Sequence, residues 1–403
     1  MKFKYILLFS VWLLSLNSFS QKLTRIKHFG KNPGHLKMFL YQPKNLIPNE
    51  KTPLVVVLHG CLQSASSVAK QSGWNKLADE NGFIVLYPQQ RIKNNPQKCF
   101  SWYRKKNIKK NRGENYSIKQ MIDNVKANHS IDTSKIFITG LSAGAAMSVA
   151  LMANYPETFK AGAIFAGAPY RVANGMIQGM MSLLGWRIKS PEKWGNIVRK
   201  ANPDFKGNYP KLIIYQGKND LIVNKRNGVE LMKQWTNINN ISQEPTECVP
   251  CFANNPDIER NTYKNKDFKE VVVFYKIDKL GHALLVDPGN CFNQGGKTGT
   301  FAKDKNFHST YWTAIDFGLL PSPLIYGKKT VEKLEKNLEF SVPFTNKSKY
   351  EWSFPKDCKT ISKSDSNTIT INWGESNGTI NVIETDSNFC KKNYSTLNVK
   401  IKK

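Results

Sequence analysis

Ser134-Lys-Ile-Phe-Ile-Thr-Gly-Leu-Ser-Ala-Gly-Ala-Ala-Met-Ser-Val-Ala150 contains the strongest local signal in the chain. A short apolar run of the β type, Lys135 to Thr139, leads into Gly140-Leu-Ser-Ala-Gly144, and a helical pattern of small residues continues to Tyr155 before Pro156. Because proline cannot continue a helix, the pattern predicts a strand, a sharp turn and a helix that ends near Tyr155.

Ser142 lies at the apex of this predicted turn and is the candidate nucleophile. Glycines two residues to either side let neighbouring backbone approach without a Cβ clash, so the serine hydroxyl is exposed. The helix behind the turn places backbone N–H groups and a partial positive charge where an oxyanion would form. The motif is short enough to match by chance in a chain with 26 glycines, so a serine in an ordinary glycine turn is the alternative.

A serine hydroxyl is a weak nucleophile, so it needs a base, and the base needs an acid to orient it. A predicted strand from Lys211 to Gln216 runs into an acidic turn that ends at Asp220, and a second strand, Glu270 to Ile277, is followed by His282 in a loop. The order Ser, Asp, His is that of the α/β-hydrolase scheme. The sequence therefore predicts Ser142, Asp220 and His282 as a catalytic triad.

The acid and the base have alternative roles. Asp220 could instead cap the following helix, and His282 could be a surface loop residue. Asp278 and Asp287 flank the histidine closely in sequence and are rival acids. We favour Asp220, because it ends a separate strand and can reach the far ring nitrogen.

A developing oxyanion needs two N–H donors. In the α/β-hydrolase scheme one comes from the residue after the nucleophile, here Ala143, and the other from the loop after the third strand. That loop reads His59-Gly-Cys-Leu-Gln63, so we expect the backbone of Cys61 to be the second donor. The Cys61 side chain is either bridged, with Cys99 as the natural partner, or a free structural thiol.

Apolar runs and helical patterns alternate along most of the chain. Lys51-Thr-Pro-Leu-Val-Val-Val-Leu-His-Gly60 is a continuous apolar run, as expected for a strand that is buried on both faces in a parallel sheet. Such alternation implies an α/β fold, a mostly parallel sheet with helices on both faces. Further predicted strands are Leu36–Tyr41, Phe83–Tyr87 and Ala161–Phe165, and further predicted helices are Ser66–Glu80, Ser117–Asn128 and Ser309–Leu319.

Two segments interrupt the alternation. Pro169 to Tyr209 contains Trp186, Trp194 and several glycines and methionines, and it is either a lid over the site or a surface excursion with a small core of its own. Asn239 to Lys266 contains Cys248-Val-Pro-Cys251, and we expect a loop that is closed by a disulfide bond between these cysteines.

The chain changes character after the linker Pro321-Ser-Pro323. We expect an α/β-hydrolase domain over residues 21–323 and a small all-β sandwich module over residues 328–403, which resembles immunoglobulin-like or PKD-like modules. The module's predicted strands include Thr368–Trp373, Thr379–Ile383 and Thr396–Ile401.

Two pairs of residues in the module invite specific expectations. Cys358 and Cys390 are a candidate internal disulfide. Trp352 or Trp373 could hold the enzyme on a polymer or cell surface. Because a tryptophan in a small sandwich is more often part of the core, we favour core positions for both.

The N-terminus has the pattern of an export signal, with Met-Lys-Phe-Lys, an apolar run from Tyr5 to Leu16, and small and polar residues to Gln21. We expect cleavage after Ser20, which makes residues 1–20 a signal peptide and the mature protein secreted, extracellular or periplasmic. A membrane anchor is the alternative, but the run is short for a bilayer and no cysteine follows to carry a lipid. No other stretch is long and apolar enough to span a membrane.

Composition limits the remaining classes of function. Export makes the seven cysteines easier to explain as disulfides than as metal ligands, with one thiol left over, and we expect neither metal nor organic cofactor. The formal net charge of +29 suggests a nucleic-acid or cell-envelope binder. Because the basic residues are spread along the chain without a nucleic-acid motif, we expect a solvated basic surface and no nucleic-acid partner.

The motifs together resemble those of the secreted esterases of the polyhydroxybutyrate depolymerase family, relatives of feruloyl and acetylxylan esterases. Leu284 occupies a place where a tryptophan is common in the feruloyl branch, so the resemblance is stronger to the depolymerase branch. The matching motifs, between about Lys51 and Leu320, are Leu58-His-Gly-Cys-Leu-Gln63, Tyr87-Pro88, Cys99-Phe-Ser-Trp-Tyr103, Gly140-Leu-Ser-Ala-Gly-Ala-Ala-Met147, Gly217-Lys-Asn-Asp220 with Val223, and Gly281-His282.

The resemblance implies a serine carboxylester hydrolase that cleaves poly(3-hydroxybutyrate)-type polyesters or their oligomers through an acyl-enzyme. A feruloyl or acetylxylan esterase that acts on plant polysaccharide is the alternative within the same class. A basic envelope- or polymer-binding protein is the alternative without catalysis. Such a protein would normally have lost part of the triad, and this chain keeps all three residues.

Overall fold

The computed structural model of the chain describes residues 22–345, 347–387, 389–394 and 396–402. The predicted signal peptide, residues 1–20, lies outside the described residues. The strands of the large sheet are β1 Thr24–Ile26, β2 Lys37–Tyr41, β3 Thr52–Leu58, β4 Ile84–Gln89, β5 Ile131–Leu141, β6 Ala161–Phe165, β7 Lys211–Gly217, β8 Glu247–Val249, β9 Ile258–Lys264 and β10 Glu270–Ile277.

These strands form one sheet in the order β1-β2-β4-β3-β5-β6-β7-β10-β9-β8. The six inner strands, β4-β3-β5-β6-β7-β10, are parallel to one another. The pairs at both edges are antiparallel. The predicted, mostly parallel sheet is therefore confirmed, and the carboxyl ends of its inner strands lie at one edge, where sites of α/β proteins form.

Helices cover both faces of this sheet, as predicted. One face packs an apolar core under α3 (Gly113–Asn128), α4 (Ala143–Asn154) and α7 (Arg226–Ile238). The other packs a second core under α1 (Ala65–Ser72), α2 (Trp74–Asn81) and α8 (Ser309–Phe317). All twelve residues of α4 are buried, which explains its small side chains. The structure also contains α5 Met176–Leu183 and α6 Pro191–Arg199.

The single helix predicted over Ser66–Glu80 is wrong, because Gly73 divides it into α1 and α2. Gly73 has a left-handed backbone with φ 77°, and a Cβ there would lie 2.6 Å from the Gly296 nitrogen. The close approach of this second chain segment requires glycine at the break.

The segment from Asn239 to Lys266 is not the stapled loop that we expected. It contains β8 and β9, which extend the sheet by antiparallel pairing. Cys248 and Cys251 are both exposed free thiols. The hydrogen bonds of the added strands order this segment, so no disulfide is required.

The segment from Pro169 to Tyr209 contains α5 and α6. Trp194 is fully buried, its Nε1–H donates to Glu230 Oε2 of α7 at 2.6 Å, and it packs in one cluster with Trp102 and Ala143, so the segment shares a core with the rest of the domain and does not have one of its own. Trp186 is exposed, and α5 supplies residues to the wall of the large cavity described below.

A short parallel pair, β11 Leu284–Val286 and β12 Ala302–Asp304, follows the large sheet, and the all-β module comes next. The strands of the module are β13 Thr330–Val331, β14 Leu338–Ser341, β15 Lys349–Ser353, β16 Lys359–Thr360, β17 Thr368–Asn372, β18 Gly378–Thr385, β19 Lys391–Asn393 and β20 Leu397–Ile401. They form two sheets that share one apolar core. One sheet has the order β13-β20-β18-β15, with β19 beside β18, and the other has the order β14-β17-β16.

The predicted disulfide between Cys358 and Cys390 is wrong, whereas the core position favoured for Trp373 agrees with the structure. Cys390 is bonded to Cys291 of the larger part, not to Cys358, which is a buried free thiol within the module core. Trp373 is buried in the same core, and Trp352 packs half-buried against it. The described part of the chain therefore holds three free cysteines, where the odd count alone suggested one.

No helix among the described residues combines the length and the apolar character that a membrane crossing requires.

Candidate active site

Ser142 lies where β5 ends and α4 begins, as the sequence predicts. Its backbone has φ 56° and ψ −119°, a conformation that residues with a side chain rarely adopt. The Ser142 N–H donates to the carbonyl of Phe165 at 2.9 Å, so the end of β6 supports the turn. Such strain persists only where the surrounding structure holds it, and it is typical of functional residues.

The glycines beside Ser142 are required by backbone contacts. A Cβ at Gly144 would lie 2.5 Å from the carbonyl oxygens of Leu58 and His59. A Cβ at Gly140 would lie 2.5 Å from the carbonyl carbon of Gly144. The start of α4 therefore touches the end of β3, and this contact brings the loop after β3 beside Ser142.

Asp220 and His282 form a buried hydrogen-bonded pair. Because a carboxylate can only accept, the Nδ1–H of His282 donates to Asp220 Oδ2, at 2.8 Å. This tautomer leaves Nε2 of the imidazole as an acceptor. The side chains are 7% and 0% exposed for His282 and Asp220, respectively, so their hydrogen bond is shielded from water.

The second oxygen of Asp220 orders its own loop. Asp220 Oδ1 accepts from the N–H groups of Ile222 and Val223, at 2.9 and 2.8 Å. These bonds fix the carboxylate beside His282, whereas α7 begins only at Arg226. Asp220 is therefore not a simple cap of α7, which was its alternative role.

The rival acids form other contacts. Asp278 pairs with Lys218 Nζ at 3.0 Å. Asp287 Oδ1 accepts from Gln294 Nε2 at 3.2 Å. Among the described residues, Asp220 is the carboxylate that is hydrogen-bonded to His282.

Ser142 and His282 line one cavity of about 660 Å³. Its wall is mainly apolar and combines residues from the nucleophile turn, the loop after β3, α5 and the loop after β7. The lining includes Gly60, Cys61, Leu62, Cys99, Trp102, Tyr103, Ala143, Met176, Met180, Leu183, Ile222, Val223 and Phe301.

Both predicted oxyanion donors belong to residues that line this cavity, Cys61 and Ala143. Ala143 is the first residue of α4, where an amide has no acceptor within its own helix. Among the described residues, neither the Cys61 N–H nor the Ala143 N–H donates to a backbone carbonyl in a turn, loop or helix cap. Cys61 is bonded to Cys99, so the bridged alternative is confirmed.

A neutral histidine orders the loop that carries Cys61. His59 Nδ1–H donates to the Gly60 carbonyl at 2.7 Å, and its Nε2 accepts from the Gln90 N–H at 3.1 Å. Burial lowers the pKa of His59 to about 4, so the ring is uncharged at neutral pH and can accept this bond.

Sequence reasoning missed Glu114, which supports the wall of the cavity from α3. Its carboxylate accepts from the Ser101 N–H at 2.7 Å and from Gln90 Nε2 at 2.9 Å. Burial raises the pKa of this carboxyl above its usual value. The helix was predicted only from Ser117, and a charged residue three positions before it gave no reason to expect such a buried position.

Phe301 was also missed, because it lies in a loop without a motif. Its carbonyl accepts from the Leu284 N–H at 2.9 Å, and its ring lies edge-on to His282 with 6.2 Å between ring centres.

Among the described residues, no group of three His, Cys, Asp or Glu side chains is placed to hold a metal ion.

The family model described as Esterase PHB depolymerase matches residues 36–246, and a model described as PKD-like domain matches residues 321–401. The chain is 39% identical over 300 residues to poly(3-hydroxyalkanoate) depolymerase C of Paucimonas lemoignei. The matched region covers 74% of this chain and 70% of that protein. It is 34% identical over 238 residues to an acetylxylan esterase of Coprinopsis cinerea, which covers 57% of this chain and 62% of that protein.

Among solved structures, the acetyl xylan esterase from Aspergillus awamori is similar, with a TM-score of 0.60 and 25% identity over 65% of this chain and 94% of that chain. This similarity, together with the sheet order and the strand-turn-helix at Ser142, confirms the predicted α/β-hydrolase fold. The first family match covers more than half of the chain, and the relative from P. lemoignei is similar over more than two thirds of its length. The chain therefore belongs to the Esterase PHB depolymerase family and is a carboxylic ester hydrolase.

Proposed function

We propose that this protein is a secreted serine esterase that cleaves poly(3-hydroxyalkanoate)-type polyesters or their oligomers, with Ser142, Asp220 and His282 as its triad. The observation that carries the proposal is the hydrogen-bonded Asp220–His282 pair, whose histidine lines the same apolar cavity as Ser142. Residues 21–323 would form the catalytic domain and residues 328–403 the module.

The proposed reaction is acyl transfer in two stages. His282 Nε2 takes the proton of Ser142 Oγ as the oxygen attacks the ester carbonyl, and the imidazolium then gives this proton to the departing alcohol. Water, deprotonated by the same nitrogen, attacks the acyl-serine, and the imidazolium returns its proton to Ser142 Oγ as the acyl–oxygen bond breaks and the carboxylic acid leaves. Asp220 keeps the Nδ1–H oriented and stabilises the imidazolium that forms in each stage.

Backbone amides would hold the negative oxygen of each tetrahedral intermediate. The Ala143 N–H belongs to the N-terminal end of α4, where amides have no acceptor within the helix and the helix dipole also favours negative charge. The Cys61 N–H comes from the loop fixed by His59, Gln90 and the disulfide to Cys99. Removing one such donor typically slows turnover by about 10²–10³-fold.

The polyester substrate is supported by the cavity and by the relative from P. lemoignei, which is named as a poly(3-hydroxyalkanoate) depolymerase. The cavity of about 660 Å³ has a mainly apolar wall. Such a wall suits aliphatic hydroxyacyl units, whose only polar groups are ester oxygens.

Export is supported by the two disulfides, Cys61–Cys99 and Cys291–Cys390. Such bonds persist in oxidising compartments and are rare in the cytoplasm. The module would also contact a surface or a polymer. Trp352 would contribute to this contact, because it is only half-buried against the core of the module.

The test is clearing of a poly(3-hydroxybutyrate) granule suspension by the mature protein, with Ser142→Ala as the matched control. We expect the wild type to clear the suspension and Ser142→Ala to stay folded but lose nearly all turnover, because no other nucleophile would replace the serine oxygen. Clearing by Ser142→Ala would contradict the assignment of the nucleophile.

The second candidate function is an acetylxylan esterase, favoured by the structural similarity to the enzyme from A. awamori. The same preparation should then release acetate from acetylated xylan and leave the granules intact. This outcome would keep the triad and reject the polyester.

A further inference from the structure

We infer that the apolar residues around the mouth of the Ser142 cavity form a docking face for the surface of a solid aliphatic polyester, so that the catalytic domain itself adsorbs to its substrate. The inference deepens the proposed function and rests on it. We call this face the apolar rim, and it consists of Leu62, Met176, Ile177, Met180, Leu184, Trp186, Leu221 and Ile222.

The members of the apolar rim are unusually exposed for large apolar side chains. Their exposed fractions run from 50% for Leu184 to 96% for Leu221. Single exposed apolar residues are ordinary, but a contiguous group marks a surface that binds something.

The apolar rim is continuous with the cavity. Leu62, Met176, Met180 and Ile222 are each more than half exposed and also line the cavity wall. A chain that follows this wall outward from Ser142 therefore passes directly onto the rim. A small soluble ester would fill the cavity and leave the rim in water.

Contacts between α5 and the loop after β7 bring the rim segments together. The Asn224 N–H donates to the Leu183 carbonyl at 2.8 Å, and Gly185 lies against the Asn224 side chain. These contacts place Leu184 and Trp186 next to the segment that carries Leu221 and Ile222.

The rim segments contain no ionisable acid or base. Residues 62–67, 176–186 and 221–224 hold no Asp, Glu, Lys or Arg, although 22% of the whole chain is charged. An uncharged apolar face matches a polyester, which is itself neutral along the chain. An anionic lipid surface would instead recruit cations. Arg187 follows Trp186 directly and Lys225 follows Asn224 directly, so the adsorption test includes a salt series to distinguish the two kinds of surface.

The experiment measures adsorption without turnover, in the Ser142→Ala background of the full-length mature protein. The probe is a suspension of poly(3-hydroxybutyrate) particles, and the readout is the fraction of protein left in solution. The rim variant is Ile177→Gln with Leu221→Gln. The matched control is Phe268→Gln, because Phe268 is 85% exposed but lies in the turn before β10, at the opposite end of that strand from His282.

We expect the adsorption constant of the rim variant to fall by about tenfold or more, because two large apolar side chains lose their burial against the polymer. The Phe268→Gln control should adsorb as its Ser142→Ala parent does. Adsorption of the parent should not weaken between low and high salt, since no ion pairs are involved.

Equal adsorption of the rim variant and the control would overturn the inference. Binding only to vesicles of phosphatidylglycerol, weakened by salt, would also overturn it and identify a lipid surface instead. Failure of the proposed function looks different, because the wild type would then release no hydroxyacid from polyester while it hydrolyses soluble butyrate esters. A thermal unfolding curve for each variant shows that the comparison is made between folded proteins.

Discussion

Asp220 uses the two oxygens of one carboxylate for two different tasks. Oδ1 accepts from two backbone N–H groups of its own loop, and Oδ2 accepts from His282. An asparagine would keep an oxygen for the loop but present an NH₂ group to the imidazole. The ring would then have to accept at Nδ1 and carry its proton on Nε2, which would remove the proposed base for Ser142.

Asp220→Asn is therefore expected to lower kcat on a soluble butyrate ester by about 10³–10⁴-fold, with little loss of stability. The control is Asp278→Asn, which removes a partly exposed ion pair with Lys218 and should leave kcat within about twofold of the wild type. The role of Asp220 would be rejected if Asp220→Asn kept more than a tenth of wild-type turnover, or if both variants lost activity equally.

At the scale of elements, the contact between β3 and α4 determines the geometry of the site. Leu58 and His59 at the end of β3 approach Gly144 so closely that no side chain fits between them. The same approach places the Cys61 loop beside Ser142. One glycine thus joins the nucleophile turn to the proposed oxyanion loop.

Gly144→Ala should destabilise the protein by about 3 kcal/mol or more, because its Cβ would lie 2.5 Å from two carbonyl oxygens and one of the two elements must shift. Urea unfolding measures the loss. Gly175→Ala is the control, since a Cβ at Gly175 meets nothing within 4 Å and its φ of 178° is extended backbone. A Gly144→Ala midpoint equal to that of the control would show that the contact is looser than described.

Elements whose determinants are local could be predicted from the sequence. The strand, turn and helix around Ser142 and the Val-rich strand β3 follow from short patterns. Asp220 and His282 were predicted because chain order and strand ends indicate which residues meet at one edge of a parallel sheet. Their hydrogen bond agrees with that expectation.

Features set by distant segments were not predictable. The break at Gly73 depends on the approach of Gly296, more than 200 residues later in the chain. Phe301 reaches the cavity through its bond to Leu284, and no motif marks it. The partner of Cys390 depends on how the module docks, which the spacing of cysteines does not encode.

At the scale of the whole molecule, the module is joined to the catalytic domain by more than its linker. Cys390 is bonded to Cys291, in the loop between β11 and β12. Beside this bond, the ammonium of Lys392 lies 5.4 Å from the ring centre of Phe292 and 4.7 Å from that of Tyr394. Glu384 pairs with Lys392 at 3.7 Å, and burial lowers the pKa of this lysine.

The double variant Cys291→Ser/Cys390→Ser should lose about 2–4 kcal/mol of unfolding free energy, because the bond joins residues 99 positions apart and restricts the unfolded chain. The module should then separate from the rest of the chain more often, so trypsin should cut faster at Lys328 and Lys329, the first two residues of the module. Mass spectrometry of timed digests measures the rate. Cys248→Ser/Cys251→Ser is the matched control, since it replaces two exposed free thiols. Equal cleavage rates in the two double variants would mean that the contacts around Lys392 hold the module without the disulfide.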